Sequence, residues 1–160
     1  MILFLDFDGV LHPDPCFDEA RLFERAPLLA AALGLFPEVA VVLSTSWRTQ
    51  CAFDQLLAGL PAGLRERVID VTPTFAMAGT PPPLLPYRRQ AECLQWLRAS
   101  GDAQAPWVAL DDRASLFTPY CEQLVLCDSL QGFDTAAAAR LHGKLKHARQ
   151  RLARSVDAVV

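Results

Sequence analysis

Ile2-Leu3-Phe4-Leu5-Asp6-Phe7-Asp8-Gly9-Val10-Leu11 is the stretch on which the reading of this chain turns. An apolar run with no turn residue, ending in Asp-Phe-Asp-Gly, predicts a buried central strand that carries two carboxylates to its carboxyl end. Side chains alternate along a strand, so Asp6 and Asp8, two apart, are expected to emerge on one side where the strand runs out. Gly9 then permits a sharp turn. Unpaired carboxylates are costly to bury, so this strand end calls for a cation, a helix N-terminus or a basic partner. A strand followed by a merely acidic turn is the plainer alternative, and the later segments have to decide.

Further apolar runs repeat the design. Val39 to Leu43 predicts a second buried strand, which breaks into Ser44-Thr45-Ser46-Trp47-Arg48, a hydroxyl cluster followed by a cation. Such hydroxyls serve as helix caps or as phosphate ligands. Val68 to Thr72 predicts a short edge strand, and residues 73–86, with five prolines, an irregular loop. A helix is well signalled from Tyr87 to Ala99, with Cys93, Leu94 and Leu97 on its core stripe and Trp96 beside them. Arg88 and Arg89 fall in its first turn, where the helix dipole disfavours cations, so they want an anionic partner. Trp107 to Leu110 predicts a strand ending in Asp111-Asp112-Arg113, and Leu124 to Cys127 the last one.

Between these strands lie predicted helices over about Glu24 to Leu33, Ala52 to Ala58 and Ala62 to Arg67, and a tail helix from Asp134-Thr135. Strands alternating with helices predict an α/β, Rossmann-like parallel sheet with helices on both faces and a site outside the carboxyl ends of the strands. At 160 residues the chain suits one domain, residues 1–160, and is short for two. With 52% hydrophobic and 21% charged residues it can build a core, which excludes a disordered chain. The apolar start meets Asp6 too soon for a signal peptide or membrane span, so a cytoplasmic protein is expected. Five cysteines without a C-x-x-C pair fit neither a disulfide framework nor a zinc site, and are expected to be reduced and mostly buried.

The net charge of −3 is unevenly spread. Arg140, Lys144, Lys146, Arg149, Arg151 and Arg154 occur with no acidic residue among them, so an acidic body carries a basic tail. On the tail helix Leu141, Leu145, Ala148 and Leu152 form an apolar stripe, beside a basic one of Arg140, Lys144, Arg151 and Arg154. The basic stripe is either a solvated face or a surface for nucleic acid.

The opening motif, Asp-x-Asp-Gly-Val-Leu after an apolar strand, resembles the first motif of the haloacid dehalogenase (HAD) superfamily. Thr45, with Ser44 or Ser46 as alternatives, corresponds to the second motif, Arg89 (or Arg88) to the third, and Asp111-Asp112 to the fourth. The Arg-x-x-Glu before Trp-Leu at Arg89 is similar to the small capless HAD domain of Swiss-army-knife RNA-repair proteins. The resemblance implies a phosphatase in which Asp6 is the nucleophile and Asp8 protonates the leaving oxygen. Thr45 and Arg89 would stabilise the phosphoryl oxygens, and Asp6, Asp8 (through its carbonyl), Asp111 and Asp112 would hold Mg²⁺. An ionised Asp can take a phosphoryl group without a general base, but its approach to a phosphate dianion needs a cation to offset repulsion of about 4 kcal/mol per unit-charge pair at 4 Å. Mg²⁺ suits such hard oxygen ligands.

Ser46, Arg48 and His12 are the expected substrate contacts, with Trp47 beside them. Neither gap, from Leu11 to Val39 or from Thr49 to Tyr87, has room for a cap domain, so an open site taking a phosphate on a large molecule is expected. Three rivals stand against this reading. A response-regulator receiver has its acidic pair after the first strand and its phospho-acceptor after the third. A haloalkanoic acid dehalogenase needs neither Asp8 nor a metal. A phospho-ligand binding module would keep the site without turnover.

Overall fold

The structure, a computed structural model, describes residues 1–101 and 103–157, with side chains of the last helix only through 153. Five parallel strands, β1 (Ile2–Leu5), β2 (Ala40–Leu43), β3 (Val68–Val71), β4 (Trp107–Asp111) and β5 (Leu124–Leu126), form one sheet in the order β3-β2-β1-β4-β5. The chain winds outward from β1 to β3, then returns to β4 on the other side of β1. Strand order therefore reverses beside β1, where a crevice opens at the carboxyl ends of β1 and β4.

The alternation of strand side chains assigns the two cores. Leu3, Leu5, Val41, Leu43, Val108 and Leu110 lie on one face, packed with α1 (Ala26–Leu33), α2 (Phe53–Ala58), α3 (Ala62–Arg65) and α5 (Thr135–Asp157). Ile2, Phe4, Val42 and Ala109 lie on the other, under Cys93, Trp96 and Leu97 of α4 (Arg88–Ala99) and under Phe117. Burial on both faces explains why β1 is apolar at every position. Phe4, wholly buried, meets Trp96 and Trp107 edge to face at 5.9 and 5.8 Å. The same alternation, continued one residue past Leu5 and Leu110, aims Asp6 and Asp111 at the α4 side.

The helices of the two gaps belong to this core: Leu29, Leu33, Leu56 and Leu64 are all buried in it, as is Leu60 between α2 and α3. Pro27 sits in the first turn of α1, as its missing N–H requires. β3 is indeed an edge strand. The Pro-rich segment is irregular apart from one turn of 3-10 helix at Pro82–Leu84, and the Phe75 N–H ties it to Glu92 Oε1 at 2.9 Å.

Several expectations need correction. β1 stops at Leu5, so the alternation rule does not extend to Asp8, whose carboxylate is taken elsewhere. On α4 Cys93, Trp96 and Leu97 are buried but Leu94 only partly so, and the buried side also takes in Arg89, Gln90 and Glu92, because the helix N-terminus reaches the charged strand ends. Leu141 and Leu145 of α5 are buried, but Leu152 is 40% exposed because that end of the helix has left the core. Of the five cysteines, all unpaired, only Cys93 and Cys127 are buried.

The basic residues of α5 do not form a free stripe. Arg140 donates to the Leu126 carbonyl at 2.8 Å, Lys144 to that of Glu122, and Arg149 to Glu38 at 2.6 Å while lying over Phe36. Arg154 falls outside the residues whose side chains are described. No helix among the described residues is long and apolar enough to cross a membrane.

Candidate active site

At the carboxyl ends of β1 and β4, Arg89 Nη1 lies 3.0 Å from Asp6 Oδ2 and 3.0 Å from Asp111 Oδ2. All three side chains are at least nine-tenths buried. One guanidinium thus binds the first and fourth motifs together, and Arg89, not its exposed neighbour Arg88, is the residue turned to Asp6. Asp6 also accepts the Phe7 N–H at 2.8 Å and Asp111 the Arg113 N–H at 2.8 Å. These bonds fix both carboxylates without a flexible side chain.

Asp6, Asp111 and Asp112 each present an oxygen such that the three lie within 4.8 Å of one another. Close approach of the first loop makes this possible. Gly9 adopts φ +65°, and a Cβ there would stand 2.4 Å from Asp112 Oδ2. The acidic excess has consequences for protonation. Burial pushes Asp6 up despite Arg89, and pushes Asp111 up to about 7, with the Asp6 charge adding to the effect. Asp112 is raised by burial and then by Asp6. Burial pulls Arg89 down, but Asp6 and Asp111 more than offset this and its pKa is raised. Three carboxylates thus crowd together, with Arg89 against Asp6 and Asp111 and Arg113 acting on Asp112, and a hard divalent ion accepting oxygen ligands fits that donor set.

Asp8 lies apart from the cluster. Its Oδ1 is 3.1 Å from His12 Nε2, and Trp47 Nε1 donates to both carboxylate oxygens at 3.0 Å. The His12 hydrogen bond is the main cause that holds Asp8 below the usual carboxylate range, with Trp47 and Ser46 adding to it against the effect of burial. The Asp8 carboxylate is not among those giving the three clustered oxygens.

Thr45 is fully buried and its Oγ1 accepts the Trp47 N–H at 3.3 Å, capping the 3-10 turn Ser46–Thr49. This leaves its hydroxyl hydrogen for another acceptor. Ser44 is buried as well, and Ser46 is exposed at the rim.

Arg48 and His12, expected as substrate contacts, face inward. Arg48 has five N–H donors, and five acceptors take them: the carbonyls of Thr72, Ser44, Thr45 and Pro73, at 3.0, 3.0, 2.6 and 3.3 Å, and Glu92 Oε2 at 2.7 Å. It braces the second-motif loop and has no donor left for a ligand. His12 is 1% exposed, packed against Phe23 and Trp47, and its Nδ1 has no partner. It acts on Asp8 from behind.

Two residues hold the site together in ways the sequence did not indicate. Glu92 takes Arg48 and the Phe75 N–H and lies 3.6 Å from Arg89 Nε, so one carboxylate links the second motif, the third motif and the Pro-rich loop. Its signal was the three-residue spacing from Arg89, which places both on one helix face. Trp47 read as an aromatic contact, whereas its indole N–H is the group that clamps Asp8. A hollow of about 610 Å³ between Trp107 and the Lys144–His147 stretch lies at the opposite, amino end of β4 and away from every carboxylate above.

Comparison with curated proteins and with solved structures gives no significant match. The family model described as "HAD domain in Swiss Army Knife RNA repair proteins" matches residues 2–138, a span that runs from β1 into α5 and includes every residue of the site. The chain therefore belongs to that family of HAD domains, and so to the HAD-type hydrolases.

Proposed function

We propose that the chain is a Mg²⁺-dependent phosphomonoester hydrolase that works through an aspartyl-phosphate on Asp6, at an open site suited to a phosphate on a large molecule such as a nucleic acid. The observation that carries this is Asp6 held 3.0 Å from Arg89 within 4.8 Å of two further carboxylates. A bare acidic cluster would repel a phosphate, and one with a buried guanidinium and a divalent ion would draw it in.

Asp6 attacks phosphorus through one carboxylate oxygen as the bond to the leaving oxygen breaks, and Asp8 gives that oxygen its proton. Water then attacks the aspartyl-phosphate, Asp8 takes a proton from it, and inorganic phosphate leaves with Asp6 restored. Thr45 and Arg89 donate to the equatorial oxygens of the loose transition state. Held by Asp6, Asp111, Asp112 and the Asp8 carbonyl, Mg²⁺ would supply charge neutralisation and orientation of the phosphate. The bonds from His12 and Trp47 keep Asp8 ionised before substrate arrives, and an incoming phosphate dianion disfavours that second negative charge, moving Asp8 toward the protonated form the first step uses.

Arg48, His12 and Glu92 act by positioning. The substrate contact that remains at the rim is Ser46. Family membership supports a nucleic-acid substrate in its printed association with RNA repair. Among the described residues α1, α2 and α3 are committed to the core and no separate layer covers the strand ends, which supports a large substrate. A single-domain, cytoplasmic protein fits this reading.

The low pKa of Asp8 favours a second reading, a phospho-ligand binding module that does not turn over. A phosphatase screen of nucleotides, sugar phosphates, phosphopeptides and phosphorylated oligonucleotides, with and without Mg²⁺, separates the two. Release of phosphate that disappears in EDTA and in Asp6→Asn supports the enzyme; binding without release supports the module.

A further inference from the structure

A hollow of about 210 Å³ backs onto the catalytic arginine. Arg89 and Glu92 form its inner wall, Leu116 gives an apolar side, and Ser46, Thr49 and Thr74 bring hydroxyls to its edge. Arg88 closes the outer rim. Its guanidinium lies over the Phe75 ring, 5.5 Å from the centroid, and among the described residues it forms no ion pair. Arg88 is also the first residue of α4, where the helix dipole opposes a cation. An exposed arginine held by a ring in that unfavourable place is poised for an anion from outside the chain, and the dipole of the same helix end would favour that anion too.

The hollow shares Arg89 with the site of chemistry, so an occupant would lie beside a phosphate held by Arg89. Its size fits one sugar-sized unit. We propose that it is a leaving-group subsite for the terminal residue of a phosphorylated oligonucleotide, with Arg88 binding the next phosphodiester inward. This rests on the phosphatase reading above and names its substrate class. It also gives the open site a means of choosing a polymer over a mononucleotide: the mononucleotide fills the hollow but has no second phosphate to reach Arg88. Arginine suits the task because its planar fork pairs two N–H groups with phosphate oxygens.

The test compares three substrates, in 3′- and 5′-phosphorylated sets: a mononucleotide, a dinucleotide, and the same dinucleotide with a neutral methylphosphonate linkage. The expected result is that kcat/KM for the charged dinucleotide in one set exceeds both others by about tenfold, the scale of one hydrogen bond to a charged group, chiefly through KM. Arg88→Ala should remove the advantage relative to the mononucleotide, Arg88→Glu should reverse it, and Arg88→Lys should restore part of it. Equal kcat/KM for the charged and neutral dinucleotides, or an advantage that survives Arg88→Ala, would overturn the subsite. Binding of fluorescein-labelled dinucleotides to Asp6→Asn protein gives a readout without turnover. If no substrate is hydrolysed, the phosphatase reading fails; the subsite fails separately if charged and neutral dinucleotides bind alike.

Discussion

Arg89 Nη1 stands 3.0 Å from Asp6 Oδ2, joining the start of α4 to the end of β1 across a sequence separation that no local interaction spans. Under the proposed mechanism this pair both orients the nucleophile and presents a donor to the phosphate. Arg89→Ala should lower kcat by at least about a hundredfold, the scale on which loss of one preorganised donor to a transition-state oxygen is felt. Arg89→Lys should recover little, since one ammonium cannot reproduce the planar fork. Asp6→Asn should abolish turnover with the fold intact. Steady-state kinetics with circular dichroism as a control checks all three; wild-type activity in Asp6→Asn would end the proposed mechanism.

Glu92 accepts from Arg48 at 2.7 Å in a setting where both side chains are more than nine-tenths buried. Glu92→Ala leaves Arg48 short of one acceptor and frees the Pro-rich loop from α4. A loss of about 3–5 kcal/mol in urea unfolding is expected, as for other buried pairs broken on one side. A loss below about 1 kcal/mol would mean that Glu92 does not tie the loops together.

Trp47 holds Asp8 through its indole N–H. Removing that donor in Trp47→Phe relaxes Asp8 upward, because a hydrogen bond to the charged form is lost. The acid limb of the kcat profile, which requires ionised Asp8 in the hydrolysis of the phosphoenzyme, should then move to higher pH. An unmoved limb would show that Asp8 is not the group titrating there.

The acidic cluster should make the metal-free protein more stable in mild acid. Asp111 titrates near 7 in the fold, against 3.8 as its unperturbed value, so the folded state binds the proton more tightly. That contribution is complete below about 3.8 and is lost as pH rises through 7. Asp6 and Asp112, also raised, act in the same direction, while the lowered Asp8 acts in the opposite one at the acid end. In EDTA the melting temperature should therefore fall from pH 5 to pH 8. Mg²⁺ should restore it at pH 8 and act weakly at pH 5, and Asp111→Asn should flatten the EDTA profile. A melting temperature that is indifferent to Mg²⁺ at pH 8 would count against a metal site.

Gly9 combines φ +65° with an approach to Asp112 that leaves no space for a methyl group. Gly9→Ala should cost at least about 1 kcal/mol for the left-handed backbone alone. Since it also displaces Asp112, Mg²⁺-dependent activity should fall more steeply than stability, which a paired activity and calorimetry measurement would resolve.

The sheet and the motif positions were legible because both follow local rules. Apolar runs buried on two faces mark β1, β2 and β4 without reference to the rest of the chain, and acidic or hydroxyl residues directly after them lie at the strand ends by construction. Asp6, Thr45, Asp111 and Asp112 are therefore readable in order from the sequence. The choice of Arg89 over Arg88 needed the tertiary structure, because successive residues on a helix point about 100° apart and only packing decides which one faces β1. Asp8 turned to Trp47 and His12 because β1 ends one residue before Asp6, a boundary that hydrophobicity does not mark. Arg48 depended on the fold for a related reason: a cation after a hydroxyl cluster resembles a ligand contact, and only β3 brings beside it the carbonyls of Thr72 and Pro73 that take its donors. What the sequence alone determined is where the carboxylates, hydroxyls and arginines of the candidate site sit along the chain. Which of them are free to meet a substrate depended on partners distant in sequence, and only the fold brings those together.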